Sequence, residues 1–111
     1  MLIPPPHHAA SAMICCVDLV IDSARRTVRR SNTPIRLRRK DFDLLEYLMR
    51  NQDRVVTRTM ILEQLWDDAT NPFSNLVDVH IKHLRDKVDR PFGRRLIRTV
   101  HGIGYTMDQD G

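Results

Sequence analysis

Residues 75–88, NLVDVHIKHLRDKV, constrain the fold more than any other segment of the chain. Four apolar side chains recur there at helical spacing, so the segment predicts a helix with one buried face. They are Val77, Ile81, Leu84 and Val88. At about 100° per residue, Val79 instead falls on the opposite, polar face. A single exposed valine is common, so Val79 either packs on a neighbouring loop or subunit, or it faces a partner of the protein.

Strands and two further helices are predicted around this segment. Residues 13–37 hold short β-branched runs separated by SAR and SNT, which predict an antiparallel meander of about four strands. In RKDFDLLEYLMRN, residues 39–51, the apolar period becomes helical. Thr57 is a suitable N-cap for a second helix, RTMILEQLW, which DDATNPF terminates. The final run, RLIRTVHGIGYTM, predicts a β-hairpin.

Two helices joined by a short connection and followed directly by a hairpin are typical of a winged helix-turn-helix. The predicted fold class is therefore α+β, with an N-terminal four-stranded antiparallel sheet, three helices and a C-terminal β-hairpin wing. The 111 residues suffice for one domain. We expect a flexible leader at residues 1–12, the domain at residues 13–108 and a tail at residues 109–111.

The charge balance favours an anionic partner. Eighteen Lys and Arg against fourteen Asp and Glu give a net charge of +4 and a pI of about 9.6. This excess suits nucleic acid, an acidic protein or an anionic surface. Arginine outnumbers lysine, which favours planar recognition of phosphates or base edges.

Several other classes of function are disfavoured. We find no Gly-rich phosphate loop and no nucleophile with an evident base, so we expect neither catalysis nor a cofactor. The neighbours Cys15 and Cys16 point to opposite faces of a strand, so we expect neither a disulfide between them nor a metal site with His7 and His8. The sequence shows no secretory signal and no membrane span, which predicts a cytoplasmic protein.

The polar face of the 75–88 helix is the predicted binding face. On double-stranded DNA it would enter the major groove, where polar groups read base edges and an apolar methyl meets the thymine methyl. The side chains that would do so are Asn75, Asp78, Val79, Lys82 and His83.

Residues 13–107 resemble the C-terminal effector domain of OmpR/PhoB-type response regulators. The stretches that carry the resemblance are KDFDLLEYLMRNQDRVVTRTMILEQLW, SNLVDVHIKHLRDKVD and RLIRTVHGIGY. The resemblance implies the fold described above and binding to tandem direct repeats in promoters, usually as a head-to-tail homodimer on DNA. We recognise no phosphorylatable receiver domain in these 111 residues and expect an effector domain alone.

Matching motif positions imply further roles. The DNA-backbone contacts would come from Arg58, Trp66, Arg85, Thr99 and Tyr105. The wing would meet the minor groove through His101 and Gly102. The loop that the family uses to contact RNA polymerase corresponds to residues 67–73, with Asp67, Asp68, Asn71 and Phe73.

Some of these residues have a simpler structural interpretation. Trp66 is as well suited to plug the core as to contact a phosphate, and Tyr105 could cap the core under the wing. We expect His80, beside the apolar face, to be a structural histidine. The meander arginines are expected to form a solvated face away from DNA. They are Arg25, Arg26, Arg29 and Arg30.

The sequence also departs from the family pattern. His101 stands where the wing usually carries an arginine, so we expect a weaker minor-groove contact. Arg38 and Arg39 replace the usual Thr-Pro start of the first helix, which costs about 1 kcal/mol of capping energy. The alternative function is a winged-helix protein-interaction module, because Asp78 and Asp86 on the binding face would both oppose phosphates.

Overall fold

The computed structural model describes residues 12–66 and 75–108 as two antiparallel sheets and three helices. The first sheet contains, in spatial order, β1 (Met13–Cys16), β2 (Leu19–Asp22), β3 (Thr27–Arg30) and β4 (Thr33–Ile35). The helices are α1 (Arg39–Arg50), α2 (Arg58–Leu65) and α3 (Leu76–Leu84). The second sheet places β7 (Gly104–Met107) between β5 (Val55–Thr57) and β6 (Ile97–Val100). The predicted winged helix-turn-helix fold is confirmed.

The core lies where the helices meet the inner faces of the two sheets. The apolar sides of the first two helices are buried, including Phe42, Leu45 and Leu48 on α1 and Ile61 on α2. On and just beyond α3, the four apolar residues that defined the helix are all at most 1% exposed. Burying such aliphatic side chains contributes about 1.5–3 kcal/mol each, so this apolar stripe determines which side of α3 faces outward.

The helix ends agree with the sequence in two places. The backbone N–H of Met60 donates to Thr57 Oγ1 at 3.0 Å, so Thr57 caps α2 as predicted. Arg38 occupies the N-cap position of α1 and its side chain makes no capping hydrogen bond. The expected loss of a capping hydroxyl at this helix is therefore confirmed.

The third helix is shorter as a regular α-helix than predicted. Asn75 is its N-cap, and the α-helix ends at Leu84 instead of continuing to residue 88. A π-helical turn, Arg85–Asp89, follows directly. Its wider coil keeps Val88 in the core and also buries Asp89, which accepts hydrogen bonds from the backbone N–H groups of Leu96 (3.0 Å) and Ile97 (3.1 Å). Apolar periodicity alone could not distinguish this wider turn from an α-helix.

Strand β5 joins the wing, which the sequence did not predict. Val56 of β5 lies opposite Tyr105 of β7, so the hairpin becomes a three-stranded sheet. Gly104 permits this close approach, because a Cβ at residue 104 would lie 2.0 Å from the carbonyl oxygen of Val56.

The prediction of a solvated face was wrong for Arg30. This side chain is 1% exposed, and its Nε donates to Asp18 Oδ1 at 3.0 Å while Nη1 donates to Asp89 Oδ1 at 3.1 Å. Alternation along β3 turns Arg30 inward with Val28, where the buried carboxylate of Asp89 makes its charge tolerable. Arg29, on the other face of the strand, is exposed as expected.

Cys15 is exposed and Cys16 is buried, and both are free thiols. Burial raises the pKa of the Cys16 thiol to about 11. None of the helices in the two described ranges combines the length and apolarity that crossing a bilayer requires.

Candidate nucleic-acid interface

The polar face of α3 is exposed, with Val79 near its centre. Val79 is 38% exposed although Val77 and Ile81, on the opposite face, are fully buried. Lys82, one turn further along, has a side chain that is 73% exposed. Asn75 is exposed at the start of the helix. Three of the five predicted base-reading residues are thus accessible on one face.

Asp78, the fourth of these residues, is held by its neighbours. Arg58 Nη1 donates to Asp78 Oδ2 at 2.9 Å, and the Tyr105 hydroxyl donates to Oδ1. Burial, together with the hydrogen bond to Asp78, raises the pKa of Tyr105 to about 12. The structure therefore brings Asp78, which the sequence assigned to base reading, together with Arg58 and Tyr105, which it assigned to the DNA backbone. Their contacts tie α2, α3 and β7 to each other.

Arg85 and Thr99 are also brought together. Arg85 donates to the backbone carbonyl of Ile97 at 3.2 Å and to Thr99 Oγ1 at 2.7 Å. Its guanidinium carbon lies 5.8 Å from the centre of the Tyr105 ring. Burial lowers the pKa of Arg85, and the positive charge of Arg95 adds to this effect. Arg85 thus fixes the wing against the end of α3.

The tip of the wing projects into solvent. His101, Gly102 and Ile103 are all exposed, and Ile103 is 57% exposed. The N–H of Ile103 donates to the carbonyl of Val100 at 3.0 Å, which closes the turn. Gly102 adopts a φ of +78°, a left-handed conformation that glycine takes without strain.

A groove of about 450 Å³ runs beside α3 and the wing. Its cationic lining residues are Lys82, Arg85, Arg90, Arg94 and Arg95. They outnumber the three carboxylates in the same lining. The sequence-derived site omitted Arg90, Arg94 and Arg95. The adjacent Arg94 and Arg95 were a visible signal, but only the fold shows that the 90–95 segment returns beside α3.

His83, the fifth predicted base-reading residue, turns partly inward. Its side chain is 36% exposed, and its Nδ1 lies 3.9 Å from Oδ2 of the buried Asp41. His80 Nδ1 lies 2.5 Å from Asp41 Oδ1, which agrees with its expected structural role. The Trp66 ring packs 5.2 Å from the His80 ring and 5.2 Å from Lys40 Nζ. Trp66 is half-buried against the core, so its position is compatible both with plugging the core and with contacting a phosphate.

The predicted polymerase-contact residues lie outside the described residues. They are Asp67, Asp68, Asn71 and Phe73.

Known proteins share this sequence and fold. Residues 32–107 match the family described as "Transcriptional regulatory protein, C terminal". The transcriptional regulatory protein TcrA of Mycobacterium tuberculosis is 48% identical over 94 residues, which cover 85% of this chain and 37% of TcrA. The response regulator DrrB of Thermotoga maritima, an OmpR/PhoB homolog, superposes with a TM-score of 0.78 at 30% identity, covering 96% of this chain and 55% of DrrB.

The DNA-binding domain of Klebsiella pneumoniae RstA, solved in complex with the RstA box, superposes with a TM-score of 0.79 at 28% identity. That match covers 87% of this chain and 97% of the RstA domain.

Fold and site together define a winged helix-turn-helix domain with a polar helix face, a wing and a basic groove. The chain belongs to the family of OmpR/PhoB-type transcriptional regulatory proteins and matches their C-terminal domain. It spans less than half of the length of TcrA, the curated relative compared above. The matched family is one of transcriptional regulators and not of enzymes.

Proposed function

We propose that this chain binds double-stranded DNA sequence-specifically as part of a transcriptional regulator of two-component type. In this proposal α3 enters the major groove and the wing, residues 100–105, meets the minor groove. The observation that carries the proposal is the exposure of Val79 between Asn75 and Lys82 on a helix whose other face is buried. A recognition helix needs an apolar methyl and flexible polar groups side by side, because thymine presents a methyl and the other bases present donors and acceptors.

Each residue of the face has a chemically suitable partner on DNA. Lys82 can donate to guanine O6 and N7, Asn75 can pair with adenine, and Val79 can contact a thymine methyl. The Asp78 oxygens each accept one internal hydrogen bond and keep a second lone pair for a cytosine amino group. His83 would contact DNA through the exposed part of its side chain.

Phosphate contacts would come from the basic groove and from residues outside it. We assign them to Arg58, Trp66, Arg85, Thr99 and Tyr105, as the family positions imply, and add the groove residues Arg90, Arg94 and Arg95. Arg85 and Arg95 carry like charges close enough to disfavour each other. A phosphate bound between the two guanidinium groups would relieve that repulsion, so an anion in the groove would lower its electrostatic energy. His101 and Gly102 at the exposed wing tip complete the interface.

The wider assembly follows from the family. We propose binding to tandem promoter half-sites as a homodimer on DNA, and contact with RNA polymerase through the loop 67–73. We further propose a cytoplasmic location, because that is where promoter DNA lies. We propose no catalytic activity, because binding promoter DNA requires none.

The protein-interaction alternative has lost its main support. It depended on Asp78 and Asp86 presenting negative charge on the binding face. Arg58 neutralises Asp78 at 2.9 Å, while Lys82 and Arg90 lie 3.5 and 3.4 Å from the carboxylate of Asp86. The face therefore does not repel phosphates as two unpaired carboxylates would.

Selection from a random double-stranded DNA pool tests the proposal. We expect enrichment of two direct half-sites about 10–11 base pairs apart and a steep loss of affinity with salt. Arg95→Ala should make the salt slope shallower by about 0.9, since the slope counts the phosphates that the protein neutralises. The matched control is Arg25→Ala, because Arg25 has an 82% exposed side chain in the turn between β2 and β3.

A second pair of variants addresses the helix face itself. Val79→Ala should relax the preference for thymine at one position of each half-site, whereas Val17→Ala, which trims a valine that is 43% exposed on the first sheet, should not. No enriched motif, or binding indifferent to salt, would contradict the proposal and favour the protein-interaction module.

A further inference from the structure

A buried carboxylate between two histidines forms a second polar cluster, under the edge of the recognition face. Asp41, in the first turn of α1, is 3% exposed. His80 and His83 of α3 both turn toward it, His80 Nδ1 at 2.5 Å and His83 Nδ1 at 3.9 Å from its two oxygens. We name these three residues the Asp41 cluster. A buried carboxylate is stabilised by a positive charge beside it.

The second observation is an unsatisfied nitrogen. His83 Nδ1 is buried and has no hydrogen-bond partner among the described residues, although it points toward Asp41. Leaving such an atom unpaired costs about 1–3 kcal/mol. The cost is removed if a bound cation accepts the nitrogen lone pair.

The geometry of the Asp41 cluster suits a transition-metal ion. One ligand atom from each residue lies within 4.8 Å of the other two. Metal–nitrogen and metal–oxygen distances of about 2.0–2.2 Å place tetrahedral ligands roughly 3.4 Å apart. The 3.9 Å separation of His83 Nδ1 and Asp41 Oδ2 therefore has to shrink by about half an ångström, and the 2.5 Å separation of His80 Nδ1 and Asp41 Oδ1 has to widen by about 0.9 Å. His83 and His80 stand three residues apart on one helix face, so both rings can turn to one point.

The cluster is accessible. A cavity of about 180 Å³ adjoins it, with Asp41 and His83 in its wall. This is room for an ion and its remaining water ligands. The same wall contains Arg36, Arg38 and Lys87, whose charges oppose a bound cation, and a second carboxylate, Asp86, whose charge favours one.

We propose that Asp41, His80 and His83 form a binding site for a divalent transition-metal ion of the Zn²⁺ type, with water as the fourth ligand. His80 would bind through Nδ1, the ring nitrogen that already faces Asp41. Imidazole and carboxylate ligands of this kind suit Zn²⁺, Cu²⁺ and Ni²⁺. The proposal revises the sequence-based expectation that His80 is purely structural and that the chain binds no metal.

Zinc titration by isothermal calorimetry tests this site without reference to DNA. The background protein carries His7→Gln, His8→Gln and Cys15→Ser, which removes three imidazole and thiol donors outside the cluster and keeps His101 for the control. It should bind one Zn²⁺, and Zn²⁺ should raise its melting temperature because the ion binds only the folded site. Loss of an outer partner alone weakens metal binding 10–100-fold. Replacing a direct ligand, His83→Gln, should therefore weaken binding at least about tenfold, while the wing control His101→Gln should leave it unchanged.

Two results would overturn the site. One is the absence of stoichiometric binding in the background protein, and the other is a folded His83→Gln variant that binds Zn²⁺ equally well. If His83→Gln unfolds, NMR spectra of the histidine rings in the background protein still test the site. In the background protein, Zn²⁺ must shift the His80 and His83 ring signals, and shifts confined to His101 would reject the proposal.

Discussion

Removing the Arg30 guanidinium should destabilise the protein more than any surface substitution. Arg30 connects the first sheet to the end of the recognition helix through Asp18, Asp89 and the backbone carbonyl of Val88. Its guanidinium carbon also lies 5.2 Å from the Phe92 ring centre. We consider Arg30→Met, which keeps an unbranched stem of similar length and removes the charge.

The expected loss of stability follows from the buried carboxylate that the substitution leaves without its cationic partner. Asp89 is 5% exposed and would keep only the backbone donors of Leu96 and Ile97. Burial already raises the pKa of Asp89, against the effect of those donors and Arg30. Breaking a buried pair by removing one partner costs about 3–5 kcal/mol. The whole free energy of unfolding of such a domain is about 5–15 kcal/mol, so the variant should lose a large part of its stability.

Urea denaturation followed by circular dichroism measures this cost. The neighbouring Arg29→Met is the matched control, because Arg29 is exposed and hydrogen-bonds only locally to Asn32, and it should change the free energy of unfolding by less than about 0.5 kcal/mol. The double variant Arg30→Met/Asp89→Asn should be less destabilised than the sum of the single variants, since it removes both charges. A cost below about 1 kcal/mol for Arg30→Met, or strict additivity in the double variant, would refute the reasoning.

Four further predictions follow from local geometry. Val17 has a φ of 57° in the two-residue turn between β1 and β2, so Val17→Asn should stabilise the protein by about 1 kcal/mol, measured by urea denaturation. Gly104→Ala should destabilise it by about 1–3 kcal/mol in the same assay, because the new Cβ would meet the β5 backbone at 2.0 Å. The Ser31 hydroxyl, then Arg30, holds the pKa of Asp18 below its usual value, so its contribution is present above about pH 4 and is lost as the pH falls through the folded-state pKa. In the Asp18→Asn variant, the melting temperature should therefore depend less on pH below about pH 4. His101→Arg should tighten DNA binding and steepen its salt slope, and unchanged values would contradict the assigned role of the wing.

The secondary structure was readable from the sequence because each element carries its own local signal. The apolar period of α1, the Thr57 cap of α2 and the turn-forming residues around the wing all act within a few residues. Such signals predict elements and their buried faces, and the apolar face predicted for the 75–88 helix is buried.

The contacts between elements were not readable in the same way. Arg30 and Asp89 are 59 residues apart, and Arg58 meets Asp78 across 20 residues. A basic residue on a strand does not reveal whether a distant carboxylate will be buried opposite it. For the same reason, the sequence identified the residues of α3 but omitted Arg90, Arg94 and Arg95, whose position beside α3 depends on the path of the chain after the helix.

Polar contacts at three points along α3 and the turn after it determine how the recognition face is presented. Asp78 is held by Arg58 and Tyr105 near the start, His80 by Asp41 in the middle, and Asp89 by Arg30 beyond the end. An apolar stripe alone tolerates some rotation of the helix, because dispersion contacts are weakly directional. Hydrogen bonds are directional, so a rotation of α3 that improved the bonds at one of these three points would break those at the others. The exposure of Val79 is therefore enforced by polar contacts between residues that the sequence alone did not pair. The same contacts that stabilise the fold orient its binding surface.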